Sequence, residues 1–209
     1  MAGSQRVYKQ RIKSTQSLKK MFRAQELIAA SRIGRARDRV ALASPYSRAI
    51  TRAVSAVATH SDVTHPFLAQ RTDTNRVALL LIASDRGMAG AYSATVLRET
   101  ERQIEKLQAE GREVDLYVSG RRAVSYFSFR QRELAGQWIG QSDAPQYETA
   151  LEIADTLLER FRAPADEGGV AEVHVVFTQF VNMVTQRPRV IRLLPLEVVE
   201  GVAPPAGDG

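Results

Sequence analysis

The chain has 209 residues, 44% hydrophobic and 25% charged, enough for one domain with an extension or for two small domains. It has no cysteine, which excludes disulfides, thiolate metal sites and cysteine nucleophiles, and its three histidines (His60, His65, His174) are too scattered for a zinc site. The net charge of +6 is uneven: residues 1–59 carry 13 basic and 2 acidic side chains (net +11), the remainder 16 basic and 21 acidic (net −5).

A basic arm on a mildly acidic body points to an acidic or polyanionic partner for the arm, the plainer alternative being a solvated helix face. No stretch approaches the roughly 18 consecutive apolar residues that cross a bilayer. The first ten residues are polar and basic, without the apolar core of a signal peptide. The expected location is therefore the cytosol, or the cytosolic side of a membrane as a peripheral protein.

From Arg6 to His60 the only glycine is Gly34 and the only proline is Pro45, in a background of good helix formers. Leu18, Phe22, Gln25, Ala29, Ile33, Ala36, Val40 and Ala43 recur at three- and four-residue steps, and Ile50, Val54 and Val57 resume the series. This predicts one long helix over residues 1–60 with a small-sided, heptad-like seam. Some 50 helical residues would span roughly 75 Å. Pro45 is expected to kink the helix or break it locally. A seam of that length needs a partner helix of similar length, so residues 1–60 read as half of a coiled coil.

The rules change at Asn75. Arg76 to Ala83 is a continuous apolar run, as for a strand buried on both faces. A glycine-bearing turn, Ser84 to Gly90, leads into a helix from about Ala91 to Ala109. Glu113 to Ser119 reads as a second strand, ended by Gly120, and Arg121 to Phe127 as a short helix. Tyr147 to Phe161 is an amphipathic helix with Leu151, Ala154, Leu157, Leu158 and Phe161 on one face. Residues 163–169 read as a surface loop. Glu172 to Phe180 and Pro188 to Pro195 form a hairpin around Asn182 to Arg187. Alternating strands and helices over residues 75–200 imply an α/β domain with a mostly parallel sheet and an antiparallel edge. Residues 201–209 have the composition of a linker.

The turn after the first strand is the natural place for a ligand. Gly87-Met88-Ala89-Gly90 offers backbone donors at a helix start, yet no lysine and hydroxyl follow Gly90 as in a P-loop, and no G-x-G-x-x-G occurs. A tight strand-to-helix turn, with Asp85 and Arg86 capping it or meeting a neighbouring protein, is the better reading. His174 between two valines is expected to be packed, and Glu148 and Glu152 to be solvated. No nucleophile, base and orienter set exists, so no catalytic residue, metal or cofactor is expected. The basic arm has few aromatics and no nucleic-acid-binding motif, so no nucleic acid is expected either.

Arg11-Ile-Lys-Ser-Thr-Gln-Ser-Leu-Lys-Lys-Met-Phe-Arg-Ala-Gln-Glu-Leu-Ile-Ala-Ala-Ser-Arg32 closely resembles the N-terminal helix of the gamma subunits of rotary ATP synthases, R-I-x-S-x-x-x-x-x-K-I-T-x-A-M-x-M-V-A-A-S-K. Ser84-Asp-Arg-Gly-Met-Ala-Gly-Ala-Tyr92 is similar to the same family's S-D-R-G-L-C-G-G-Y-N, after the same buried strand. Gln25 stands where many members have methionine, Met21-Phe22 replaces Ile-Thr, and Met88-Ala89 replaces Leu-Cys.

The resemblance implies a long coiled-coil helix followed by a Rossmann-like α/β domain. It implies a rotary central-stalk subunit that couples proton-driven rotation of a membrane ring to conformational change at alpha and beta catalytic sites. The partners implied are the alpha and beta subunits, the epsilon subunit and the membrane c-ring, with membrane association at the cytoplasmic face only through the complex. Lys20, Arg23, Gln25 and Glu26 match the part facing the alpha/beta hexamer. Arg32, Arg35, Arg37 and Arg39 fall near the ring-contacting foot, and Asp85, Arg86, Gly87 and Tyr92 near stalk or epsilon contacts. The family's second long helix has no counterpart in residues 1–209, so residues 201–209 are expected to lead to a C-terminal helix beyond them. The competing readings are a nucleotide-binding α/β enzyme with a basic N-terminal arm, and a nucleic-acid adaptor.

Overall fold

The apolar run at Arg76–Ile82 forms β1, the middle strand of a five-stranded sheet, and both of its faces are covered. The computed structural model of the chain describes residues 2–60 and 66–196. These divide into two units, Met1–Ser61 and Asp62–Gly209. The linker expected at residues 201–209 lies outside the described residues.

The first unit is one helix, α1 (Ala2–His60), of 59 residues, about 90 Å at 1.5 Å per residue. It runs through Pro45 unbroken, so the local break expected there is absent. The proline removes a single donor from a long ladder, and helix-forming residues on both sides carry the helix past it. Just before it, the Ser44 hydroxyl donates to the Val40 carbonyl at 2.6 Å, and after it the Thr51 hydroxyl donates to the Ser47 carbonyl at 2.9 Å. Seam residues Leu18, Phe22, Val40, Ile50 and Val54 are exposed, and Ile33 is half-buried.

The second unit continues from β1 through α2 (Tyr92–Ala109), β2 (Glu113–Ser119), α3 (Arg121–Phe129) and β3 (Gly136–Trp138). After these come α4 (Tyr147–Arg162), a 3-10 turn at Ala165–Glu167, β4 (Glu172–Phe180) and β5 (Gln186–Leu194). The strand order is β3-β2-β1-β4-β5; β1 pairs in parallel with β2 and β4, β2 with β3, and β4–β5 is the antiparallel edge. The α/β class read from the sequence holds. The strand β3 was not anticipated, being three residues long and lacking any apolar run.

Alternation along β1 divides the core between the two faces of the sheet. Leu79 and Leu81 pack with Val96, Leu97 and Ile104 of α2 and Phe127 of α3. Ala78 and Leu80 pack on the other face with Leu157 and Phe161 of α4. The α4 face matches expectation in part: Leu157 and Phe161 pack inward as read, joined at a four-residue step by Ile153, whereas Leu151 and Ala154 are exposed. A row taken at three-residue steps drifts about 60° per step around a helix with 3.6 residues per turn, and so leaves the sheet.

Two local devices set the chain's turns. Gly120 has φ +115 and links β2 to α3 with no intervening loop; a Cβ there would lie 2.5 Å from the Ala83 carbonyl oxygen. At the β4–β5 turn, Asn182 Oδ1 accepts from the backbone N–H of Val184 (2.9 Å) and Thr185 (2.8 Å), so β5 begins at Gln186. Pro188 sits within β5, an edge strand where its missing donor is tolerated.

Candidate functional site

Asp85 lies in the turn at the carboxyl end of β1. Its Oδ1 accepts from the backbone N–H of Arg121 (2.9 Å) and of Gly140 (2.8 Å), and its Oδ2 from that of Ser142 (2.8 Å). The Asp85 N–H in turn donates to the Ser142 hydroxyl at 2.9 Å. Partial burial raises the carboxyl's pKa, but the backbone donors and the Ser142 hydroxyl outweigh it and hold it at about 2. One carboxylate therefore fastens the start of α3 and the loop after β3 to the end of β1.

The surrounding backbone tightens the same crest. Ala83 donates to Ser119 (2.8 Å), Gly120 to Trp138 (2.8 Å) and Arg122 to Ser84 (3.0 Å). The Ser84 hydroxyl meets the Arg86 carbonyl at 2.9 Å and the Ser93 hydroxyl at 2.8 Å. The turn itself needs left-handed backbone at Met88 (φ 61) and Gly90 (φ 56). Arg86 and Gly87 are exposed, and Arg86 pairs with Asp143 at 2.8 Å.

Tyr92 begins α2 and is half-buried. Burial pushes its phenol up, partly offset by the neighbouring Thr178 hydroxyl. Of the crest residues singled out in the sequence, Asp85 is committed to internal bonds, while Arg86 and Gly87 present themselves outward. Gly140, Ser142 and Asp143 were missed, because no local pattern marks a loop as the partner of a carboxylate 55 residues away.

The eight residues singled out on α1 fall into stripes fixed by the helix, at about 100° per residue. Lys20 and Arg23 share a face, and Arg23 pairs with Glu26 at 3.0 Å; Gln25 lies on the other side. Arg32, Arg35 and Arg39 form one exposed stripe, from which Arg37 points away.

His174 is 8% exposed, as expected of a packed residue; its Nε2 meets Glu172 Oε2 at 2.7 Å and its Nδ1 lies 3.3 Å from Gln103 Nε2. Glu172 also receives Arg112 at 2.9 Å. Glu152 is not merely solvated: its Oε1 accepts from the Trp138 indole N–H at 2.9 Å and so ties α4 to β3. Among the described residues no cluster of histidines and carboxylates could hold a metal ion. No described helix is long and apolar enough to cross a membrane.

The sequence matches the ATP synthase family model over residues 4–207. It is 64% identical over 208 residues to the ATP synthase gamma chain of Beutenbergia cavernae, covering 100% of this chain and 70% of that one. The chain belongs to the ATP synthase gamma-chain family. A second gamma chain, from Kineococcus radiotolerans, is 54% identical over 209 residues, with 69% of its length covered. Among solved structures, the central stalk/c-ring of Tetrahymena thermophila mitochondrial ATP synthase is similar at a TM-score of 0.45 and 19% identity. That likeness covers 66% of this chain and 55% of the solved one. The basic helix α1 and the Asp85 crest carry the motifs by which the sequence resembles the gamma-chain family.

Proposed function

We propose that the chain acts as the rotating central-stalk element of a proton-translocating ATP synthase, passing torque from a membrane ring to alpha and beta catalytic subunits. It has no catalytic role of its own in this reading and bears no cofactor. The observation that carries it is α1: 59 continuous residues with an exposed, small-sided seam, in a chain whose gamma-chain relatives match it along its length. A rigid helix transmits torque, and an exposed seam is what a second long helix would cover. A nucleotide-binding enzyme is not favoured: the crest's one strongly perturbed carboxylate is spent on backbone donors of its own chain.

In this reading residues 1–60 are half of the shaft, and the α/β domain of residues 75–200 belongs to its foot. Lys20, Arg23, Gln25 and Glu26 face the alpha/beta hexamer. Arg32, Arg35, Arg37 and Arg39 approach the c-ring, the stripe of Arg32, Arg35 and Arg39 doing most of it. Asp85, Arg86, Gly87 and Tyr92 serve stalk or epsilon contacts, Asp85 by holding the crest's shape. The protein is peripheral to the cytoplasmic face of the membrane, attached through the complex.

The test is the double reversal Arg35→Glu/Arg39→Glu in the assembled complex. ATP-driven proton pumping should fall several-fold while ATP hydrolysis by the hexamer is largely kept. Unchanged pumping removes the foot assignment, and failure of the wild-type chain to co-purify with two large ATPase subunits removes the stalk reading.

A further inference from the structure

The crest continues into a groove of about 550 Å³ between α2 and α3. One wall is the stripe Ala94, Leu97, Arg98 and Glu101 of α2, and the other is Arg122, Tyr126, Phe129 and Arg130 of α3. Both sets recur at three- and four-residue steps, so each helix presents a single stripe to the groove. Leu97 is buried in the core and gives the groove an apolar floor. Phe129 stands at its edge with 86% of its surface exposed.

The charges are unbalanced. Arg130 stacks over Tyr126 at 3.9 Å and its Nε pairs with Glu101 Oε1 at 3.4 Å, so that cation is answered. Arg98 and Arg122, one from each wall, meet no carboxylate among the described residues. Arg122 lies beside Gly87, so the groove is continuous with the exposed crest. This cationic cleft sits in a part of the chain whose net charge is negative.

We propose that the α2–α3 groove docks an acidic polypeptide segment of a partner, whose carboxylates meet Arg98 and Arg122 and whose apolar side chain packs beside Phe129. Charge complementarity selects the acidic class, since Arg98 and Arg122 on the two walls lack a carboxylate among the described residues and attract one by their charge. The exposed ring beside an apolar floor selects a polypeptide over a simple anion, because an anion leaves the ring in water. That the partner belongs to an ATP synthase rests on the function proposed above; the docking chemistry does not.

The experiment places a photoreactive benzoylphenylalanine at Phe129 of the full chain in the purified complex and identifies the crosslinked peptide. A crosslink to a net-acidic segment of another subunit is expected. Arg98→Glu/Arg122→Glu should cut its yield about tenfold, and Arg98→Lys/Arg122→Lys should retain most of it. Yield indifferent to charge reversal, crosslinking to lipid or nucleic acid, or no crosslink in an intact complex would overturn the proposal. Because the Lys variant keeps the charge, a loss seen equally in both variants reports misfolding of the groove's rim and counts against charge-directed docking. A chain that does not co-purify with the complex at all rejects the stalk reading instead, a distinguishable result.

Discussion

Asp85 and Gly140 are 55 residues apart in the chain, yet the Gly140 N–H donates to Asp85 Oδ1 at 2.8 Å. The same carboxylate takes N–H groups from Arg121 and Ser142. The ends of β1, β2 and β3, already joined by backbone bonds, are thereby also held to one anion.

Asp85→Ala should cost about 1 kcal/mol, because it removes the charged acceptor of three exposed backbone donors, which water replaces in part. Asp85→Asn should cost somewhat less, its amide oxygen keeping part of the set. Denaturant unfolding of the full chain measures both. The pH dependence has a definite sign: the folded pKa is lowered from 3.8 to about 2. The contribution is therefore complete above the unfolded value and lost as pH falls from about 4 through 2. The gap between wild type and Asp85→Asn should close over that window; a gap unchanged at pH 2 would refute the assignment.

Gly120→Ala is expected to destabilise the α/β domain by about 3 kcal/mol, combining positive-φ strain with collision against backbone. The added carbon would meet the Ala83 carbonyl oxygen at 2.5 Å, and neither atom can swing away. Thermal unfolding reads the effect. Gly140→Ala is the control, since it too has positive φ but open space around its Cβ; it should lose only about 1 kcal/mol.

Arg71 Nη1 donates to the carbonyls of Phe161 (2.9 Å), Ala163 (2.8 Å) and Val170 (3.3 Å), while Nε and Nη2 grip Asp73. The Asp73 carboxylate holds the guanidinium's pKa above its usual value. Arg71→Lys keeps the charge but loses the planar fork, and should cost about 2 kcal/mol. Limited proteolysis at residues 163–170 should accelerate; cleavage at the wild-type rate would mean the loop is held by other bonds.

Pro45→Ala restores a backbone donor in α1 and removes a ring from the preceding turn, a change of up to about 3 kcal/mol in local helix stability. Amide exchange at residues 41–49 should slow markedly. Pro45→Gly also restores the donor but is about 1 kcal/mol poorer than Ala within a helix, so it should slow exchange less than Pro45→Ala, and if torque passes through this stretch both variants keep their coupling.

Short-range patterns carried much of the fold. The apolar run of β1, the glycine that ends β2 and the helix-forming composition of α1 each act on near neighbours, and each element stands where those signals put it. The α4 face was legible in part: Leu157 and Phe161 pack inward as read, but only the sheet beneath decides that Ile153 joins them while Leu151 and Ala154 face out. Likewise, a Glu152 that looked solvated is an acceptor for Trp138 once β3 is in the sheet.

The sequence by itself determined the long basic helix, the alternation of strands and helices, and the family, through contiguous motifs at Arg11–Arg32 and Ser84–Tyr92. Tertiary structure alone decided that β3 joins the sheet, that Asp85 is a hub, and that Arg98 and Arg122 line one groove. Local patterns persist through covalent neighbours and helical or strand periodicity. Contacts between segments dozens of residues apart exist only once the sheet has brought the strand ends together.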